Sequence, residues 1–232
     1  MNICIIPARK NSQRIKGKNI KLFLGQPIIS YPIKVLLKSN FFDEIVISSD
    51  CKETIKIATS LGVKAYFVRP NYLSGPKVTI KKVVEHTIKY LIKQNKVLDI
   101  IACVYPTSVF LDKKLLTKSI ETLKIKKSEF VFIASKFASS VERSFLVEKN
   151  HKIKKINLKM RNKMSQDTKD YYYDAGQLVI GRKVSWLNKK NKSVISKKSS
   201  IIEINPHKAV DINNIDDWKH AEFIFGKYKK NC

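Results

Sequence analysis

Ile5-Ile6-Pro7-Ala8-Arg9-Lys10-Asn11-Ser12-Gln13-Arg14-Ile15-Lys16-Gly17-Lys18-Asn19 joins an apolar run to a loop dense with cations and small polar residues. A strand that ends in such a loop delivers it rigidly. Backbone N–H groups in its turns can form an anion-binding concavity, and Arg9, Arg14 and Lys18 offer charge-assisted hydrogen bonds to oxyanions. The loop therefore reads as a phosphate holder, against the plainer alternative of a solvated basic loop. It is not a Walker loop, because Gly-x-x-x-x-Gly-Lys-Ser/Thr is absent, and it is not a Gly-x-Gly-x-x-Gly dinucleotide turn.

Outward from that loop, short apolar runs alternate with amphipathic segments. Ile3 to Pro7, Glu44 to Ser49, Ala65 to Val68, Asp99 to Tyr105 and Phe130 to Ala134 are predicted strands, too continuously apolar to have one wet face. Ile28 to Ser39, Lys52 to Leu61, Thr79 to Lys93 and Lys113 to Lys126 carry helical spacing. This alternation predicts an α/β fold, a mostly parallel sheet with right-handed crossovers and helices on both faces, whose ligands bind at the carboxyl ends of strands. After Ser135 the pattern changes. Phe145 to Ile156 reads as two strands around a polar turn, and a loop follows to Tyr171-Tyr172-Tyr173-Asp174-Ala175-Gly176-Gln177, so residues 137–176 are expected to form an arm inserted into one domain spanning 1–232. Ile201 to Ile204 and Ile215 to Tyr228 return the chain to strand and closing helix.

The 232 residues suffice for a full core. The net charge of +27 invites a nucleic-acid reading, but the lysines are spread through every predicted helix and turn and aromatic residues are not interleaved with them, so no specific nucleic-acid partner is expected. Arginine is scarce, at Arg9, Arg14, Arg69, Arg143, Arg161 and Arg182. Its planar fork suits bidentate phosphate or carboxylate binding, which marks these few as candidate ligand residues. Cys4, Cys51, Cys103 and Cys232 lack paired spacing, which argues for a reducing, cytoplasmic setting. Charge arrives at Arg9 before an adequate apolar region, so no signal peptide is expected, and no apolar run approaches a membrane span.

Four further stretches could carry chemistry. Arg69-Pro70 places a cation after a predicted strand, or is a solvent-facing turn. Tyr105-Pro106-Thr107-Ser108 ends the most apolar strand, where its hydroxyls would meet a base or sugar or simply begin the next helix. Ser49-Asp50-Cys51-Lys52-Glu53 has the pattern of a helix cap, with Asp50 capping and Glu53 reciprocating. Asp211 and Asn213 fall on one face of an extended segment, a spacing suited to one Mg²⁺ with oxygen ligands, while Asn213, Asn214 or Asp216 could instead cap the helix before Trp218. The four histidines form no metal or nucleophile cluster, and His86 is expected to pack on its helix face.

Together these positions resemble the CMP-sialic acid synthetase (acylneuraminate cytidylyltransferase) family. The resemblance runs over nearly the whole chain, through the Arg9 to Asn19 loop, Ser48-Ser49-Asp50, Arg69-Pro70 with Leu73-Ser74, His86, Tyr105 to Phe110, Arg143, Ser165-Gln166-Asp167, Tyr173 to Gln177, and Asp211 with Asp217-Trp218. Ser-Gln-Asp and Asp-Ala-Gly-Gln are its most specific stretches and point to the pseudaminic branch. The resemblance implies a Rossmann-like nucleotide-diphospho-sugar transferase fold, a homodimer through the arm, and Mg²⁺-dependent attack of an acidic nine-carbon sugar's anomeric hydroxyl on CTP, releasing pyrophosphate. It implies that Arg9, Asn11, Ser12, Arg14, Lys18 and Asn19 bind the nucleotide, with Arg69 and Thr107 lining its site. Gln166, Asp174 and Gln177 would meet the sugar, Asp211 and Asn213 the metal, and Arg14, Lys18 and Asp211 would serve catalysis.

Four positions depart from the family's pattern: Gln13 stands for Lys, Pro76 for Asp, Met164 for Arg and Asn213 for a second Asp. These departures motivate two alternatives, a nucleotide-binding homologue with a regulatory role and a cytidylyltransferase for another sialic-like or Kdo-like sugar.

Overall fold

A computed structural model describes residues 1–12, 14–155 and 168–230. Gln13, the Arg161, Lys163 and Met164 positions, Ser165-Gln166-Asp167 and Cys232 lie outside the described residues. The strands are β1 (Ile3–Pro7), β2 (Leu22–Phe23), β3 (Gln26–Pro27), β4 (Glu44–Ser48), β5 (Ile100–Val104), β6 (Phe130–Lys136), β7 (Phe145–Val147), β8 (Ile153–Lys155), β9 (Tyr172–Arg182) and β10 (Ser199–Glu203). The helices are α1 (Ser30–Ser39), α2 (Lys52–Ser60), α3 (Ile80–Lys93), α4 (Lys113–Ile125), α5 (Lys183–Leu187) and α6 (Ile215–Lys230).

The main sheet runs β10-β6-β9-β5-β1-β4. β1 pairs in parallel with β4 and β5, and β10 with β6, while β9 is antiparallel to both of its neighbours. Both faces are covered, as the continuous apolar runs require. Along β1, Cys4 and Ile6 join one core cluster and Ile3 and Ile5 the other; along β5, Ala102 and Val104 oppose Ile101 and Cys103 in the same way. Helix starts are set locally: Thr79 accepts from the Lys82 N–H at 3.4 Å, and Asp112 from the Leu115 N–H at 2.8 Å.

Two elements differ from the sequence expectation. Ala65 to Val68, expected as a strand, only runs alongside β4. Lys64 bridges to Val46, and the next bond is from the Arg69 N–H to Ser49 O at 2.8 Å. Between those two points the rings of Tyr66 and Phe67 pack on Tyr90 of α3, so side-chain packing takes the place of a ladder. The second difference is β9, eleven residues long, which enters the sheet between β5 and β6. Tyr172, Tyr173 and Asp174 pair with Lys136, Ser135 and Ala134, so residues 172–176, expected at the end of the arm, belong to the sheet. The chain leaves the sheet after Lys136 and rejoins it at Tyr172, and the described residues between carry the β7–β8 hairpin.

The β9 insertion demands a close approach at Gly181, opposite Phe130 in register. A Cβ there would sit 2.7 Å from the Phe130 ring and 2.8 Å from Glu129 O. Gly181→Ala should therefore destabilise the protein by about 1–3 kcal/mol, read as a lower midpoint in urea with an unchanged slope. An unchanged midpoint would show that β9 does not sit in this register.

Candidate active site

β1 lies between β4, reached first by the chain, and β5, reached later, which makes the carboxyl ends of β1 and β5 the point where the order of strands reverses. A cleft of about 360 Å³ opens there. It is lined by Arg9, Ser12, Arg14, Lys18 and Asn19 from the loop after β1, by Arg69 beyond β4, by Thr107 beyond β5, and by Asp211 and Asn213 before α6. Nine of the residues singled out from sequence thus converge. Asn11 is exposed and does not line the cleft, nor do Asp174 and Gln177.

The basic loop is fastened at both ends. The Lys10 N–H donates to Asp50 Oδ1 at 2.7 Å, and the Asn19 amide donates to Arg9 O at 2.9 Å. Asn19 is buried, so it braces the loop from behind as well as bordering the cleft. Gly17, at φ 62°, turns the chain so that its carbonyl accepts from both the Ile20 and Lys21 N–H groups. Ile15 anchors the middle of the loop in an apolar cluster with Phe23, Phe110 and Trp218. Asp50 therefore corrects the capping expectation. α2 begins after Cys51 without a side-chain cap, because the Asp50 carboxylate is taken by the loop across the sheet end.

The cations differ in how firmly they are held. Arg69 is 4% exposed, with Nε donating to Ser48 Oγ at 3.1 Å and Nη2 to Ser48 O. Burial lowers its pKa to about 10, against the pull of Asp50. Lys18 donates to Ile212 O at 2.7 Å; burial pushes its ammonium pKa down, nearby Asp211 acts in the opposite sense, and Arg14 and Arg9 add to the lowering. Among the described residues the Arg9 side chain makes only a long contact to Gly75 O at 3.5 Å, and Arg14, exposed, donates from Nη2 to Asn213 Oδ1 at 2.8 Å.

The acidic side is built on β9 and the segment before α6. Asn214 is the cap of α6: its Oδ1 accepts from the Asp216 and Asp217 N–H groups, and Asp217 Oδ2 accepts from Asn213 and Asn214 N–H in return. Capping is thus carried by Asn214 and Asp217, leaving the Asp211 carboxylate exposed at the cleft. Gly176, at φ 62°, passes under it so closely that a Cβ would lie 3.2 Å from Asp211 Oδ1. Two residues earlier Asp174 accepts from the Gly176 N–H at 2.9 Å. Burial raises the Asp174 pKa, the Gly176 N–H opposes this, and the Asp211 charge adds to the rise. Tyr105 is likewise raised, first by burial and then by Cys103, Asp174 and Asp211.

Two of the expected ligand residues already carry hydrogen bonds. Gln177, 1% exposed, donates from Nε2 to Lys208 O at 2.7 Å, and its backbone carbonyl accepts from Ser108 Oγ at 2.8 Å and the Tyr105 N–H at 3.0 Å. These backbone bonds join the end of β5 to β9, while the side-chain Oε1 is buried without a partner among the described residues. Asn213 spends its amide oxygen on Arg14 and its NH₂ on Asp211. His86 packs edge-on to Phe67 at 4.9 Å, as its place on a helix face suggested. Sequence reasoning missed the loop-holding role of Asp50, because its spacing to Glu53 imitates a cap, and the role of Gly176 as the floor under Asp211, which only the pairing of β9 reveals.

The donor set suits a hard divalent cation. Asp211 presents carboxylate oxygen beside a second carboxylate at Asp174, with no thiolate or imidazole at hand. Among the described residues no three His, Cys, Asp or Glu side chains form a cage that could hold a metal ion.

The cytidylyltransferase family model matches residues 3–203, from β1 to β10. The pseudaminic acid cytidylyltransferase of Campylobacter jejuni subsp. jejuni serotype O:2 is 37% identical over 225 residues, covering 97% of this chain and 96% of that protein. A Helicobacter pylori protein named pseudaminic acid cytidylyltransferase and UDP-2,4-diacetamido-2,4,6-trideoxy-beta-L-altropyranose hydrolase is 34% identical over 98% of this chain and 43% of its own length. Among solved structures, CMP:2-keto-3-deoxy-manno-octonic acid synthetase complexed with CTP shares the fold, with a TM-score of 0.70 at 12% identity, covering 98% of this chain and 100% of that one. A family match spanning the basic loop after β1, β9 and the whole central sheet, with near full-length relatives above a third identity, means that this chain belongs to the cytidylyltransferase family.

Proposed function

We propose that this cytidylyltransferase transfers CMP from CTP to the anomeric hydroxyl of pseudaminic acid, an acidic nine-carbon sugar, and releases pyrophosphate. The observation that carries the reading is the convergence of Arg9, Arg14 and Lys18 with Asp211 in one cleft at the strand-order reversal. Cations aimed from a rigid loop suit a triphosphate, and the opposing carboxylate suits the cation that accompanies it. The choice of sugar is supported by likeness to the Campylobacter jejuni enzyme along the full chain.

In this reading Arg9, Ser12, Arg14 and Lys18 bind the triphosphate, while Arg69, fixed on Ser48, and Thr107 border the nucleotide from the ends of β4 and β5. Asp211 would hold a divalent cation such as Mg²⁺, which when bound would neutralise phosphate charge. The sugar lies toward Asp174, beyond Asp211. The nucleophile is the sugar's own hydroxyl, so the protein's part is in-line positioning and stabilisation of the charge that builds on the leaving pyrophosphate. No helix among the described residues is long and apolar enough to cross a membrane.

The arm supplies a dimer contact. Phe145, Leu146, Val147 and Ile153 are all more than half exposed on a two-stranded hairpin outside the main sheet. An isolated hairpin is marginal in water, and a partner copy would bury this face.

Incubation with CTP, Mg²⁺ and a panel of acidic sugars should release pyrophosphate and give a CMP-sugar by mass spectrometry, with pseudaminic acid the best acceptor. Failure with every acidic sugar would overturn the reading. Arg14→Ala should lower turnover by roughly a hundredfold or more at an unchanged melting temperature, because the side chain is exposed and outside the core. Parent-like turnover would remove Arg14 from the phosphate site. Light scattering at micromolar concentration should give the mass of a dimer, and Leu146→Asp should shift it toward the monomer; a monomeric parent would end the arm assignment.

A further inference from the structure

The Arg14 guanidinium has only donors to offer and the Asp211 carboxylate only acceptors, and Asn213 stands between them. Its Oδ1 accepts from Arg14 Nη2 at 2.8 Å, and its Nδ2 donates to Asp211 Oδ2 at 2.6 Å and, at longer range, to Asp211 O at 3.3 Å. The chemistry of the two neighbours fixes which way the amide faces. Turned over, it would set NH₂ against guanidinium and oxygen against carboxylate. A carboxylate at 213 could satisfy Arg14 but would confront Asp211 with a like charge; an apolar residue would satisfy neither.

The bridge is itself held. The Asn213 N–H donates to Asp217 Oδ2 at 2.7 Å, part of the cap that starts α6, and next to it Ile212 O accepts from Lys18 Nζ at 2.7 Å. The loop after β1 is therefore tied to the 211–213 segment twice, by Lys18 through the backbone and by Arg14 through the Asn213 side chain. Resting on the cytidylyltransferase reading of the cleft, we propose that Asn213 is a positioning residue that joins Arg14 and Asp211 into one unit and acts on the nucleotide through Arg14, not by ligating the cation. Aiming an exposed, rotamer-rich arginine before the nucleotide arrives lowers the ordering cost of binding.

A double-mutant cycle tests this, with equilibrium CTP binding measured by calorimetry in Mg²⁺ and without sugar, so that nothing turns over. Asn213→Ala should weaken CTP binding roughly fivefold in the parent and less than about twofold when Arg14→Ala is already present. An equal penalty in both backgrounds would overturn the proposal, since that is the behaviour of an independent metal ligand. Asn213→Ser, polar but too short to span both groups, should repeat the Asn213→Ala result and serves if the alanine variant loosens the start of α6. A parent that binds no CTP would instead sink the reading of the cleft, and this proposal with it.

Discussion

Pairing β1 in parallel with β4 on one side and β5 on the other sends the chain away from the sheet in opposite directions, and a crevice is left at the carboxyl ends of the strands. Each part of the site depends on that placement. The basic loop is where it is because it begins at the last residue of β1. Arg69 reaches the crevice because its backbone bonds to Ser49 just past β4, and Thr107 because it follows β5. The acidic wall arrives from much later in the sequence. β9 threads between β5 and β6, and the segment before α6 folds across its start, with Gly176 bare enough to let Asp211 approach.

Gathering Arg9, Arg14, Lys18 and Arg69 in one cleft is electrostatically unfavourable without an anion, and the structure offsets this in two ways. Asp50 and Asp211 place negative charge beside the cations, as the opposing influences on Arg69 and Lys18 show. Backbone carbonyls of Ser48 and Ile212 accept from the same two side chains, which fixes their heads without neutralising them. Among the described residues Arg9 and Arg14 keep most of their donors unbonded. The two held cations thus shape the cleft, while the two freer ones are left with unspent hydrogen-bonding capacity for phosphate.

Much of this was legible in the sequence because it is local. Apolar runs buried on both faces, helix periodicity and the cation-rich end of β1 are read from neighbours in the chain. What was not legible is set by contacts between distant segments. Asp50 looks like a cap until the Lys10 N–H, 40 residues away, is found on its carboxylate. Ala65 to Val68 has strand composition, yet Tyr66 and Phe67 prefer the face of α3 to a ladder. β9 hid because its first residues, Tyr172 to Gln177, are polar and chemically suggestive, and the same residues serve as a strand edge and as the floor of the site. Gln177 is a further case: its side-chain Nε2 is taken by Lys208 O and its backbone carbonyl by Ser108 Oγ beyond β5, contacts that only the pairing of β9 reveals.

The departures at Pro76 and Asn213 gain a common meaning from the geometry. Both positions line the cleft, and in both a neutral side chain stands where the resemblance led to the expectation of a carboxylate. CTP and an acidic sugar are anions, so a cleft with fewer carboxylates attracts them more strongly, while its hold on a free cation weakens. On the proposed reading the phosphates would bring the cation with them, and the carboxylate of Asp211 would need to be correctly placed when they arrive. A neutral amide that can bond to arginine and carboxylate together supplies that placement without restoring the charge, which makes Asn213 consistent with the electrostatics of the cleft and not merely a lost ligand.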